Sequence, residues 1–153
     1  MKISKHLELA ELIRSESAKR LGISNMPTPE HIENLKQLAE HIFEPIREHF
    51  AVPIYISSGY RSQALNAAIP NSATNSQHSR GMAIDIDMDG TSIKNSAIFE
   101  YAKTLPFDQL IWEFGTKDNP DWVHISYSPL NRKQILYATK SYGKTIYNKS
   151  KPV

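Results

Sequence analysis

The chain has 153 residues, 40% of them hydrophobic and 22% charged, with a formal net charge of +2. That length and balance fit one globular domain with a real core, and they exclude a disordered chain, a collagen-like repeat and a coiled-coil rod. There is no cysteine, so disulfides and thiolate metal sites are excluded, and any metal must be held by His, Asp or Glu.

The N-terminal stretch MKISKHLELAELIRSESAKR has no sustained apolar region and no small-residue cleavage site, so synthesis in the cytoplasm without a signal peptide is expected. Leu7 to Leu21 reads as one or two short helices, with Ser15 as a cap inside the stretch and Gly22 as the stop. Asn25-Met26-Pro27 is a turn. A stronger helix follows: Thr28 caps it, Pro29 fits its first turn, and Ile32, Leu35, Leu38, Ala39, Ile42, Phe43 and Ile46 recur at spacings of three and four as far as Phe50. Pro45 predicts a kink or an early end. Strands are expected over Pro53–Ser57, Met82–Met88, Gln109–Phe114 and Trp122–Tyr127. A short helix is expected from Gln63 to Ile69 behind Ser62, and another behind Thr91 to about Lys103. Helices come early and the later strands are joined by short loops. The fold class is therefore α+β, an antiparallel sheet with helices packed on one side, in a single domain over residues 1–153. No apolar run approaches the roughly 18–20 residues of a membrane span.

The segment 131–153 carries Arg132, Lys133, Lys140, Lys144, Lys149 and Lys151 and no acid. Its ordinary reading is a solvated basic tail; its functional reading is attraction to an anionic polymer such as cell wall or nucleic acid. No helix-turn-helix or aromatic-basic platform is present, so no specific nucleic acid is expected as a partner.

The stretch Ser76-Gln77-His78-Ser79-Arg80-Gly81-Met82-Ala83-Ile84-Asp85-Ile86-Asp87 carries the chemistry. Side chains alternate along a strand, so Asp85 and Asp87 share one face and Ile84 and Ile86 the other. A carboxylate on a half-buried strand face needs a cation or a metal. A second apolar strand carries His124. Two imidazoles and one carboxylate, His78, Asp85 and His124, make a three-ligand set that leaves one position open, which suits a catalytic Zn2+. The other histidines, His6, His31, His41 and His49, lack the spacing of four that makes a helical metal pair and read as surface groups.

Ser58-Gly-Tyr-Arg-Ser62, Ser76-Gln-His-Ser-Arg-Gly-Met-Ala-Ile-Asp85 and Trp122-Val-His-Ile-Ser126 resemble, in this order, the motifs of the zinc D-alanyl-D-alanine carboxypeptidases. That group includes the L-alanyl-D-glutamate peptidases of phage lysins and shares its fold with the hedgehog signalling domain. The resemblance runs from about Leu7 to Tyr127. It implies that His78, Asp85 and His124 bind one zinc ion. It implies too that Arg61 contacts the substrate or its developing oxyanion, and that the substrate is a peptidoglycan stem peptide. Ser76 and Gln77, beside a ligand, either hydrogen-bond the substrate backbone or shape their loop.

Such a hydrolase needs a carboxylate as general base. Glu113 stands inside the apolar run Leu110-Ile-Trp-Glu-Phe114, where hedgehog-like members keep a glutamate. Asp121 lies three residues before His124, where other members carry Glu. Glu113 is favoured, because an acid among such neighbours is costly to bury without a cation nearby. The expected activity is that of a zinc metallopeptidase, working as a monomer on cell wall reached after release or lysis. The alternative is a non-catalytic zinc-binding cell-wall or phage-particle module of the same fold. The bond cut, carboxypeptidase against endopeptidase, stays open.

Overall fold

The computed structural model describes residues 1–70 and 72–151. The chain opens with a small hairpin, β1 (Lys2–Ser4) and β2 (Leu7–Glu8), that the sequence pattern does not announce. Strands of three and two residues are too short to show alternation. Glu44 pins the hairpin to the helical layer: its carboxylate accepts from Ser4 Oγ (2.6 Å) and from the His6 backbone N–H, and pairs with His6 Nδ1 (both 2.7 Å).

Two short helices follow, α1 (Leu9–Ile13) and α2 (Glu16–Leu21). Ser15 caps the second by accepting from Ala18 N–H, and Gly22 ends it at φ +65°. The long helix is α3 (Pro29–Leu38), whose cap Thr28 accepts from His31 N–H, continued by α4 (Glu44–Phe50). The two are joined by a π turn over Ala39–Phe43, closed by the Glu44 N–H donating to Ala39 O. Pro45 explains that turn. It has no N–H to give, and its ring would strike the carbonyl four residues earlier in a regular α-helix. A wider turn relieves both conflicts. The expected kink is thus a single π turn, and the apolar stripe survives it: Leu35, Leu38, Ile42, Phe43 and Ile46 are all buried.

The remaining elements are β3 (Ile56–Ser58), α5 (Gln63–Ala68), β4 (Ala83–Ile86), α6 (Asn95–Ala102), β5 (Gln109–Glu113), β6 (Trp122–Ser126), β7 (Gln134–Ser141) and β8 (Lys144–Asn148). The last six strands form one sheet in the order β3-β4-β6-β5-β7-β8. Its neighbours are antiparallel except β5 and β7, which run parallel. The architecture is α+β, with helices covering one face. On that face Ile84, Ile86, Leu110, Trp112, Val123 and Ile125 meet Phe43, Ile98 and Phe99 in the main core. The opposite face carries only a small apolar group, Ile111, Leu136 and Ala138, with Phe114 against it.

Two expectations need correction. Thr91 does not cap the helix after Gly90: its hydroxyl donates to Met88 O and accepts from Ile93 N–H, and α6 begins at Asn95. The basic segment is not a solvated tail. Most of it forms β7 and β8, with β7 paired along β5 and Ala138 buried. Of the six basic residues only Lys140 and Lys144 lie within these strands; the others flank them, because strands half open to solvent keep charge on their outer face and at their ends. Residues 152 and 153 lie outside the described residues.

Candidate metal centre and active site

Strand register builds the centre. Asp85 on β4 stands directly opposite His124 on β6, which stands opposite Ile111 on β5. Paired residues share a face, so both side chains project from the face that the helices leave open. His78 comes from a 3₁₀ turn, Gln77–Arg80, that leads into β4. Asp85 Oδ1 lies 3.0 Å from His124 Nδ1 and 3.4 Å from His78 Nε2. Among the described residues these three are the group of His, Asp or Glu side chains whose ligand atoms converge, all within 4.8 Å of one another.

The donor set fits zinc. With zinc–nitrogen and zinc–oxygen bonds near 2.0–2.1 Å, a tetrahedron has edges of about 3.3 Å, and the two separations above bracket that value. The His78 ring is also oriented: Nδ1–H donates to Gly59 O at 2.7 Å, which leaves the Nε2 lone pair toward Asp85. A metal-binding histidine ordinarily has such a partner on its other nitrogen. Two motif glycines make this possible. A Cβ on Gly59 would lie 2.5 Å from Leu12 O, and Gly81, at φ +73°, closes the 3₁₀ turn where a Cβ would lie 2.5 Å from His31 O. Burial pushes the Asp85 carboxyl up, but His78 and His124 outweigh it and hold the group well below the usual carboxylate range. It is an anion poised between two imidazoles.

Glu113 shares this face, two residues along β5 from Ile111, with Ala138 and Trp122 as its strand partners. It is 8% exposed. Burial pushes its carboxyl up to about 7, with His124 opposing and Asp85 adding to the rise. Arg61 lies across the cleft. Its backbone N–H donates to His78 O (3.2 Å) and its Nη2 to Ser76 Oγ (3.5 Å). Its buried Nε has no partner among the described residues. Burial pulls the guanidinium pKa down, opposed by Asp85. The cleft that holds the triad, Glu113 and Arg61 has a volume of about 770 Å³.

The other residues singled out in the sequence sit as follows. Ser76 and Gln77 line the cleft. Ser76 Oγ also accepts from His78 N–H, and Gln77 Nε2 donates to Asp108 Oδ2 at 2.9 Å. Asp121 is exposed and lines a neighbouring groove, while its backbone N–H donates to Glu113 O. Asp87 accepts from Asp89 N–H and Asn95 Nδ2, which places it in the turn after β4. His31 pairs with Tyr60 Oη, His41 stacks on Tyr127 and His49 on Tyr101, all away from the cleft.

Sequence reasoning missed one wall of the cleft. Arg132, Leu136, Lys140, Thr145 and Tyr147 line it. Once β7 and β8 are recognised, their register is the signal: Glu113 opposes Ala138, and Ala138 opposes Tyr147.

No helix among the described residues is long and apolar enough to cross a membrane. A comparison with curated proteins finds no match. The sequence model of the family described as Peptidase M15 matches residues 5–126, which include all three metal-capable side chains, Arg61 and Glu113. With that match over most of its length, the chain belongs to the Peptidase M15 family, a family of zinc metallopeptidases.

Proposed function

We propose that the protein is a zinc-dependent peptidase that hydrolyses peptide bonds in peptidoglycan stem peptides, as a D-Ala-D-Ala carboxypeptidase or an L-Ala-D-Glu endopeptidase. One observation carries this reading: a buried carboxylate, Glu113, shares a sheet face and a cleft with a converging His78–Asp85–His124 set.

His78 Nε2, Asp85 and His124 would hold the zinc ion, which when bound polarises a peptide carbonyl and acidifies water. Glu113 takes the proton of the attacking water and returns it to the leaving amine. A carboxyl pushed up toward neutrality is suited to both directions of transfer, and a cation beside it favours the basic form before attack. Arg61, with an unsatisfied buried Nε–H, stabilises developing negative charge or anchors a substrate carboxylate. Asp121 faces a different groove, which favours Glu113 as the base.

Digestion of purified peptidoglycan with and without chelator tests this. The expected result is release of fragments that chelator abolishes and added zinc restores. Loss of terminal D-alanine identifies a carboxypeptidase, and a cut between L-Ala and D-Glu an endopeptidase. A non-catalytic wall-binding module would release nothing under any condition.

A further inference from the structure

Asp108 sits just before β5 and its side chain is 1% exposed. Four donors converge on it. Arg132 supplies its backbone N–H (2.9 Å) and Nε (3.0 Å) to Oδ1 and its Nη2 (2.9 Å) to Oδ2. Gln77 Nε2 supplies the fourth, to Oδ2 (2.9 Å). This network ties the loop after β6 to the 3₁₀ turn that carries His78.

A guanidinium has five N–H donors arranged along rigid edges. Asp108 occupies the edge made by Nε and Nη2. The end-on edge made by Nη1 and the second Nη2 proton is left over, and Nη1 has no hydrogen-bond partner among the described residues. The Arg132 side chain is half exposed and lines the cleft that holds the metal-capable triad. A buried carboxylate thus fixes the plane of a guanidinium that lines the cleft and keeps its end-on edge free. Little side-chain freedom remains to be lost when a second carboxylate meets that fork. Arg61 is a separate cation of the same cleft, held by the Ser76 turn.

We propose that Arg132 is a specificity-determining residue. Its open guanidinium edge binds a substrate carboxylate other than the group Arg61 contacts, so the cleft selects peptides with a free carboxylate near the scissile bond over their amides. The inference rests on the peptidase reading for the identity of the ligand, and on the Asp108–Arg132 geometry for the contact.

The test uses zinc-loaded full-length protein carrying Glu113→Gln, so that ligand survives during calorimetry. The probes are L-alanyl-γ-D-glutamyl-L-lysyl-D-alanyl-D-alanine and its versions amidated at the glutamyl α-carboxylate or at the C-terminus. With Arg132 present, one of the two amidations should weaken binding roughly tenfold or more. Adding Arg132→Gln should bring that ratio close to one, and Arg132→Lys should restore only part of it. Because Arg132→Gln strands a buried Asp108 charge, the Asp108→Asn/Arg132→Gln pair serves as the companion that removes the charge as well, and it should show the same loss of discrimination. Equal binding of all three peptides by the Arg132 protein would overturn the inference. So would an equal weakening of all three by Arg132→Gln, which is what a purely structural ion pair predicts. Arg132-dependent discrimination in a wild-type protein that cleaves none of the probes would uphold this inference and sink the peptidase reading. Cleavage without discrimination would do the reverse.

Discussion

Replacing Glu113 by Gln should make the metal-free protein more stable at alkaline pH while removing its activity. Burial raises the Glu113 carboxyl from its ordinary value of 4.5 to about 7. At about 1.4 kcal/mol per pH unit, ionising this group in the folded chain costs on the order of 3 kcal/mol relative to the unfolded chain. The sign follows from the raised value. Below 4.5 both states hold the proton and the cost is absent; between 4.5 and 7 it grows; above 7 it is complete. Glutamine has nearly the same shape and no charge to desolvate. Urea unfolding in the presence of chelator should therefore give equal stabilities for wild type and variant at pH 4. At pH 8 the variant should be more stable by up to about 3 kcal/mol. The same variant should lose about 10²- to 10⁴-fold in peptide hydrolysis and still bind zinc. Bound zinc should shrink the stability difference, because a nearby cation favours the carboxylate. A difference that does not change with pH, or a variant less stable at pH 8, would refute the desolvation argument that singles out Glu113.

Three further outcomes are expected. Gly59→Ala should cost about 1–3 kcal/mol, since the new Cβ would lie 2.5 Å from Leu12 O; it should also weaken zinc binding, because Gly59 O orients His78, and denaturation together with a competitive zinc titration measures both. Asp108→Ala should destabilise by about 1–3 kcal/mol in urea, because Gln77 and the Arg132 backbone lose their acceptor. The Arg132 and Gln77 hydrogen bonds hold the Asp108 carboxyl well below its ordinary value of 3.8, despite burial; its contribution is present above that value and is lost as pH falls through the depressed one, so wild type and Asp108→Ala should converge in strong acid. Truncation after Ser141 removes β8, whose residues are mostly exposed. The main core should persist by circular dichroism, while peptide KM rises as Thr145 and Tyr147 leave the cleft wall.

The parts of the site legible in the sequence were those whose residue types conflict with their surroundings. A carboxylate in an alternating apolar strand, a histidine in another, and an acid inside Leu110–Phe114 each require a cation or a proton, and the fold brings all three to one sheet face. The helix behind Thr28 was legible because its cap, its proline and its apolar stripe agree. What escaped was long-range pairing. Nothing local in Gln134–Asn148 reveals that β7 lies parallel to β5 or that Tyr147 closes a cleft begun by Arg61, because the strand that β7 pairs with, Gln109–Glu113, lies 25 residues earlier in the chain. Asp108 and Arg132 escaped for the same reason: 24 residues separate partners that meet within 3 Å.

Metal stoichiometry tests the central claim most directly. Protein stripped with chelator and then titrated with Zn2+ should take up one ion per chain with high affinity, and His78→Ala, Asp85→Ala and His124→Ala should each abolish or severely weaken that uptake. A wild-type chain that binds no zinc, or binds it equally well without these side chains, would contradict the account.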